Sequence, residues 1–139
     1  MPVPIDDILH TARGYLGVRF RHQGRSRGGL DCAGLIVAVA HDLGLSDADY
    51  TAYGHEPDGR TLHTLLARHM DEVAPGDMAL GDVVFMAFQA FPQHLGILAD
   101  AGRPFSLIHA FAPARKVIEH RLDDEWAGRI RNCYRYRSP

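Results

Sequence analysis

The sequence predicts an α+β fold in which helices pack on an antiparallel sheet. Three observations carry this. Helix-period apolar patterning fills the first half of the chain, up to Met70. Short β-branched and aromatic runs separated by turn residues fill the second half. Helices first and strands later argue for segregated elements rather than alternating βαβ units. The 139 residues suit one domain with one core, and with 46% hydrophobic residues the chain is expected to be globular.

Pro4 to Leu16 is expected to form the first helix. Ile5, Ile8, Leu9, Ala12 and Leu16 recur at helical spacing, Pro4 suits a helix start, and Gly17 suits a stop. Val18 to Gly29 is a basic, glycine-containing loop. Asp31 is then placed to cap a helix from Cys32 to Leu43, because its carboxylate can accept orphan backbone N–H groups. That helix is nearly all apolar and should be buried. Ser46 to Asp58, rich in Asp, Tyr, Gly and Pro, is expected to be a long loop in which Tyr50, Tyr53 and His55 either border a cleft or pack on the core. Thr61 to Met70 forms a short amphipathic helix, and Pro75-Gly76-Asp77 a turn. About five strands complete the fold: Val83–Met86, His94–Leu98, Ser106–Phe111, Lys116–Glu119 and Ile130–Tyr134, with a turn at Asp100-Ala101-Gly102.

Composition excludes several classes. The net charge of −2 and the lack of a basic block disfavour nucleic-acid binding, although Arg19, Arg21, Arg25 and Arg27 make one loop locally basic. No apolar stretch reaches the ~18 residues of a membrane span. The N-terminus lacks a charged start followed by an apolar segment, so no signal peptide is expected, and synthesis in the cytoplasm is. Cys32 and Cys133 lie in unlike contexts, and no disulfide between them is expected.

Cys32 carries the main chemical signal. It follows a glycine-rich segment and opens an apolar helix, where backbone dipoles favour an anion. Such positions lower a thiol from near ~8.5 to roughly 3.5–7.5. His94 and His109 stand in strand-like runs. If those strands are neighbours, both rings share a sheet face, and a helix packed on that face would bring Cys32 against His94. One imidazole would then take the thiol proton and the other would orient it. The same residues admit other readings. A cysteine at a helix start is often a small buried hydrophobe, and Cys32, His94 and His109 also have the chemistry of zinc ligands, though no CxxC or HExxH pair supports a metal. His22 in the basic loop is either a second polar group near the thiol or a histidine facing water.

The ordered segments Asp31-Cys32-Ala33-Gly34-Leu35, Gly81-Asp82-Val83-Val84-Phe85, His94-Leu95-Gly96-Ile97 and Ile108-His109-Ala110 resemble the NlpC-type cell-wall peptidases, small papain-like cysteine hydrolases. Tyr15-Leu16-Gly17 and the segment from Phe20 to Gly24 fit the same pattern, so the resemblance spans nearly the whole chain. It implies a papain-like fold with Cys32 as nucleophile, His94 as general base and His109 as orienting residue. The Cys32 backbone amide would then be a natural oxyanion donor. It implies cleavage of an amide bond in peptidoglycan stem peptides, the γ-D-glutamyl to diaminopimelate bond being expected, with no cofactor. Asp31 would meet the substrate's free amine, and Phe20, His22 and Ala33 would border the substrate. Phe20 and Ala33 depart from the family's usual Tyr and Ser, and His22-Gln23-Gly24 from its usual aromatic-Gly-Gly. The segment from Arg21 to Ser26 and the strand from Ile130 to Tyr136 resemble the prophage and gene-transfer-agent subgroup, which implies tail proteins as partners and action at the cell wall from a virion or tail. Two other readings stay open: a tail-tip adaptor with little or no turnover, and a related amidase or acyltransferase.

Overall fold

A computed structural model describes residues 3–47, 49, 61–88 and 91–138. The first helix, α1 (Ile5–Arg13), buries Ile8, Leu9 and Ala12 on one stripe. It ends a turn earlier than its apolar pattern because Gly14 follows Arg13, and the chain turns away through Gly17 at φ +86. Arg13 ties this helix end to the sheet, donating from Nε to Glu119 at 3.0 Å and from Nη2 to Glu119 at 2.8 Å.

A two-residue ribbon, β1 (Arg25–Ser26) against β2 (Gly29–Leu30), occupies the basic loop. It leads into α2 (Cys32–Asp42), whose residues Ala33 to Ala40 are all buried, as an almost wholly apolar helix requires. Next come α3 (Thr61–His69) and β3 (Asp71–Val73). The remaining strands are β4 (Val83–Phe88), β5 (Phe91–Ala99), β6 (Ser106–Phe111), β7 (Lys116–Arg121) and β8 (Ile130–Arg135), with a single turn of helix, α4 (Asp124–Ala127), between the last two.

Six strands pair antiparallel in the order β3-β8-β4-β5-β6-β7. The strand absent from the sequence expectation is β3. Its Asp-Glu-Val is exposed or half-buried and sits at the sheet edge, where no apolar alternation is needed to hold it. The expected loop Ser46 to Asp58, including Tyr50, Tyr53 and His55, falls largely outside the described residues.

The sheet is covered on both faces. On one, α2 packs with α1 and α3 over Val83, Phe85, Leu95, Ile97, Ala99, Ile108, Ala110, Val117 and Tyr134. On the other, Val84, Met86, Leu98, Leu107, Leu122 and Cys133 form a smaller core against Phe105, Trp126 and Ile130. The strand alternation explains the division, since neighbouring residues point to opposite faces. Tyr136 locks the C-terminal segment onto the helical layer by donating its hydroxyl to the Ile36 carbonyl at 2.9 Å. Among the described residues no helix is long and apolar enough to cross a membrane.

Candidate active site

Asp31 builds the start of α2. Its backbone is extended (φ −100, ψ −173), and Oδ1 accepts from the Gly34 amide at 2.7 Å, as an N-cap should. The same carboxylate accepts from the Gln23 amide at 2.8 Å and from Arg25 Nη1 at 3.0 Å. Asp31, the residue before Cys32, therefore ties the basic loop to the first turn of α2, and it is itself buried. Gly34 is fixed by contact: a Cβ there would lie 2.0 Å from the Gly24 carbonyl oxygen, so only glycine lets the basic loop close on the helix start.

The thiol of Cys32 lies within hydrogen-bonding reach of the backbone amides of Leu95 and Ala33. The nucleophile candidate is thus held against the residue that follows His94. Burial, then the adjacent Asp31 carboxylate, pushes this thiol up to about 12, opposed by the two amides and by Arg25. The helix-start position led to the opposite expectation. The dipole of α2 is outweighed by desolvation and by the carboxylate that caps the helix.

His94 and His109 meet. His94 Nε2 lies 2.6 Å from His109 Nδ1, with ring centroids 4.8 Å apart. Strands β5 and β6 pair from Ile97↔Ile108 to Ala99↔Ser106. Past Ile97 the register stops, and the two rings lie in that direction. Gly96 sits at this divide: a Cβ on it would lie 2.5 Å from Leu107 Cδ1, so the Leu107 side chain packs into the space glycine leaves. Burial, and then the repulsion a protonated His120 would exert, hold His94 down at about 3; burial, and then repulsion from the protonated forms of His94 and His120, hold His109 at about 2. Both rings are neutral at neutral pH, and the thiol that lies alongside the Leu95 backbone is protonated.

The two imidazoles share a face, but α2 does not pack on it. Both rings touch Trp126 of α4, at centroid distances of 6.3 Å for His94 and 5.0 Å for His109, on the side of the smaller core. The apolar body of α2 covers the reverse face, and only its first residue comes alongside the strand that carries His94.

The chain of rings extends one residue further than the sequence suggested. His109 Nε2 lies 2.8 Å from His120 Nε2, and His120 Nδ1 lies 2.8 Å from the Arg121 carbonyl oxygen. The expected strand stopped at Glu119, one residue short of His120. Carrying the alternation Ile118–His120 onward would have placed this ring on the face of His109, whose cross-strand partner is Ile118.

Of the residues expected to border the substrate, Ala33 is fully buried in the helix-side core. Phe20 is half-buried against that core, its amide donating to the Arg115 carbonyl at 2.8 Å, and His22 is half-buried in the same loop. Among the described residues no group of three or more His, Cys, Asp or Glu is arranged to hold a metal ion. The facing imidazole nitrogens are at hydrogen-bond distance from one another rather than turned to a common point.

A helix-start cysteine beside a histidine-bearing antiparallel strand is the framework of a papain-like α+β protein. Residues 17–131 match the model of the NlpC/P60 family, and the chain belongs to that family. None of the curated proteins is a significant match. Among solved structures it is similar to an NlpC/P60 family protein from Bacillus cereus (21% identity, TM-score 0.71), covering 98% of this chain and 41% of that one. It is similar also to the NlpC/p60 domain of the peptidoglycan hydrolase SagA (20% identity, TM-score 0.66), covering 95% of this chain and 98% of that one. A third, RipD from Mycobacterium tuberculosis, is described as a non-catalytic NlpC/p60 domain protein adapted to peptidoglycan binding (16% identity, TM-score 0.60; 96% of this chain, 95% of that one). At these identities the likeness concerns the fold.

Proposed function

We propose that this protein is a thiol hydrolase that cleaves an amide bond in peptidoglycan stem peptides, with Cys32 as nucleophile, His94 as general base and His109 as orienting residue. The observation that carries the reading is the buried His94–His109 contact at 2.6 Å, on the strand whose next residue, Leu95, has its backbone near enough to the Cys32 thiol to favour the thiolate. Nε2 of His94 is engaged with His109, and in this reading Nδ1 takes the proton from sulfur. Attack on the carbonyl carbon forms the C–S bond as the thiol proton passes to His94. The oxyanion is met by backbone N–H groups at the start of α2, that of Cys32 among them. Collapse expels the amine, which takes the proton back from His94, and leaves a thioester. Water, deprotonated by the same imidazole, then releases the acid. The high thiol pKa means that sulfur and imidazole act together during attack, rather than as a standing ion pair.

The bond we assign is γ-D-glutamyl to diaminopimelate, with Asp31 facing the free amine and Phe20 and His22 bordering the substrate; Ala33, buried in the helix-side core, supports the helix start instead. We assign the setting to a phage tail or gene transfer agent, where tail proteins are partners and the particle carries the enzyme to the wall. Both assignments rest on the motif resemblance. Mass spectrometry of defined muropeptides incubated with the protein tests the reaction. Cleavage that disappears in Cys32→Ala supports it, cleavage retained in that variant overturns it, and a transfer product in place of the free acid identifies an acyltransferase instead.

A second reading is a wall-binding adaptor without turnover, favoured by the existence of a non-catalytic protein on this fold. It predicts muropeptide binding that is equal in the natural protein and in Cys32→Ala, with no product from either.

A further inference from the structure

The hydrogen-bond chain from His94 outward has a fixed direction. It ends at the Arg121 carbonyl oxygen, which can only accept. His120 must therefore carry its proton on Nδ1 and, when neutral, present a lone pair on Nε2. His109, facing that lone pair at 2.8 Å, must donate from Nε2 and accept on Nδ1. His94, facing that acceptor at 2.6 Å, must donate from Nε2. The neutral His94 ring then carries no proton on Nδ1, the form a base for Cys32 needs. A single backbone carbonyl thus sets the proton positions of three rings.

We propose that His120 is a positioning residue of the thiol site, which fixes the tautomers of His109 and His94 and takes up the positive charge when Cys32 gives up its proton. This rests on the reading of Cys32 and His94 as nucleophile and base. The proton balance closes. His94 gains the thiol proton on Nδ1 and passes its Nε2 proton to His109 Nδ1. His109 passes its Nε2 proton to His120 Nε2. His120 then holds protons on both nitrogens, while His94 and His109 are neutral in the opposite tautomer. The same steps in reverse return the proton to the leaving amine. The charge moves from a ring 4% exposed to one that is half-buried, where Trp126 lies against it at a centroid distance of 5.0 Å. An imidazolium is better tolerated there, near solvent and beside an aromatic ring, than beside the apolar strands around His94.

Without His120 nothing in this chain of bonds compels His109 to hold its proton on Nε2. The opposite tautomer of His109 would turn His94 Nε2 into an acceptor and put its proton on Nδ1, which blocks the base. A tautomer error of this kind in a catalytic triad costs orders of magnitude in rate.

Long-range proton–nitrogen-15 spectra of the full chain read each ring directly. Expected are Nε2–H forms for His94 and His109 and an Nδ1–H form for His120, with His94 and His109 becoming tautomer mixtures in His120→Phe. The rate of Cys32 alkylation by iodoacetamide at neutral pH should fall at least about tenfold in His120→Phe. It should stay within about threefold in His120→Gln, whose Oε1 can still accept from His109. An Nε2–H form of His120 in the natural protein, unchanged tautomers in His120→Phe, or equal alkylation in all three proteins overturns the proposal. If His120→Phe does not fold, the natural protein's tautomers and the His120→Gln rate decide. Failure to cleave muropeptides, with these spectra and rates as expected, sinks the substrate assignment and leaves this inference standing.

Discussion

The two cysteines sit in surroundings that match group by group. Each thiol is pushed up to about 12, by burial first and by a carboxylate second. Each carboxylate is buried and held by an arginine: Asp31 by Arg25 at 3.0 Å, Asp82 by Arg135 at 2.8 Å. Yet Cys133 lies on β8 inside the smaller core, where its Sγ contacts Asp82 Oδ2 at 3.7 Å. Cys32 opens a helix and touches the strand of His94. The difference is not in acidity. By the proposed mechanism it lies in the chain of imidazoles carried by the strand alongside Cys32, and in the backbone N–H groups at the start of α2. A thiol of high pKa becomes a nucleophile only where a base is positioned to take its proton during attack.

Breaking this comparison at the sulfur should give the largest effect. Cys32→Ala should abolish muropeptide cleavage, while Cys133→Ala should leave the rate within a few fold, as read by product formation in mass spectrometry. Loss of activity in Cys133→Ala with an intact fold would erase the distinction. Removing the base comes next. His94→Gln should slow both cleavage and Cys32 alkylation by roughly 10²–10⁴-fold, the usual contribution of a positioned base. Cys133 alkylation should not change.

The carboxylates sharpen the comparison through stability. Asp31→Ala removes a helix cap and leaves Arg25 partly buried with one partner fewer, an expected loss of about 2–4 kcal/mol in urea unfolding. Asp82→Ala should cost less, roughly 1–2 kcal/mol, because the Arg135 side chain is 47% exposed and can be rehydrated. Only the first should also change the rate of alkylation at Cys32, since only Asp31 caps the Cys32 helix and raises that thiol's pKa.

The smallest effect is the pH dependence of stability. The folded protein keeps His94 and His109 neutral down to about 3 and about 2, whereas the unfolded chain protonates them near ~6.5. The unfolded state binds more protons between those values. Stability is therefore fully present above about pH 6.5 and is lost as the pH falls toward 3, by at least ~1 kcal/mol. Urea midpoints between pH 7 and pH 4 should show this slope in the natural protein and a shallower one in His109→Gln. Equal slopes would mean that the imidazoles are not buried as neutral groups.

Much of this protein was legible in one dimension. The helix from Cys32, its Asp31 cap and the run Ser106–Phe111 follow from local preferences: a capping carboxylate, an unbroken apolar stretch and β-branched runs bounded by turns. His94 and His109 were legible as a pair because strand alternation put both on one face. Three things were not. The edge strand β3 has no apolar signature, since an edge does not require one. His120 lay one residue beyond the expected strand end, where sequence boundaries are weakest. The side on which α2 packs was inverted, because alternation says which residues share a face and not which layer covers it.

By itself, then, the sequence determined most of the elements and which residues share a sheet face, both of which depend on neighbours a few residues apart. Tertiary structure decided the rest. It brought the Leu95 amide to the Cys32 thiol across 63 residues of chain and pointed three imidazoles at one another in a line that ends on the Arg121 carbonyl. It also set the charge state of the site, because desolvation depends on what the fold packs around a group and not on the residues beside it in sequence. The helix start promised an acidic thiol; burial and the capping carboxylate made it a weak acid.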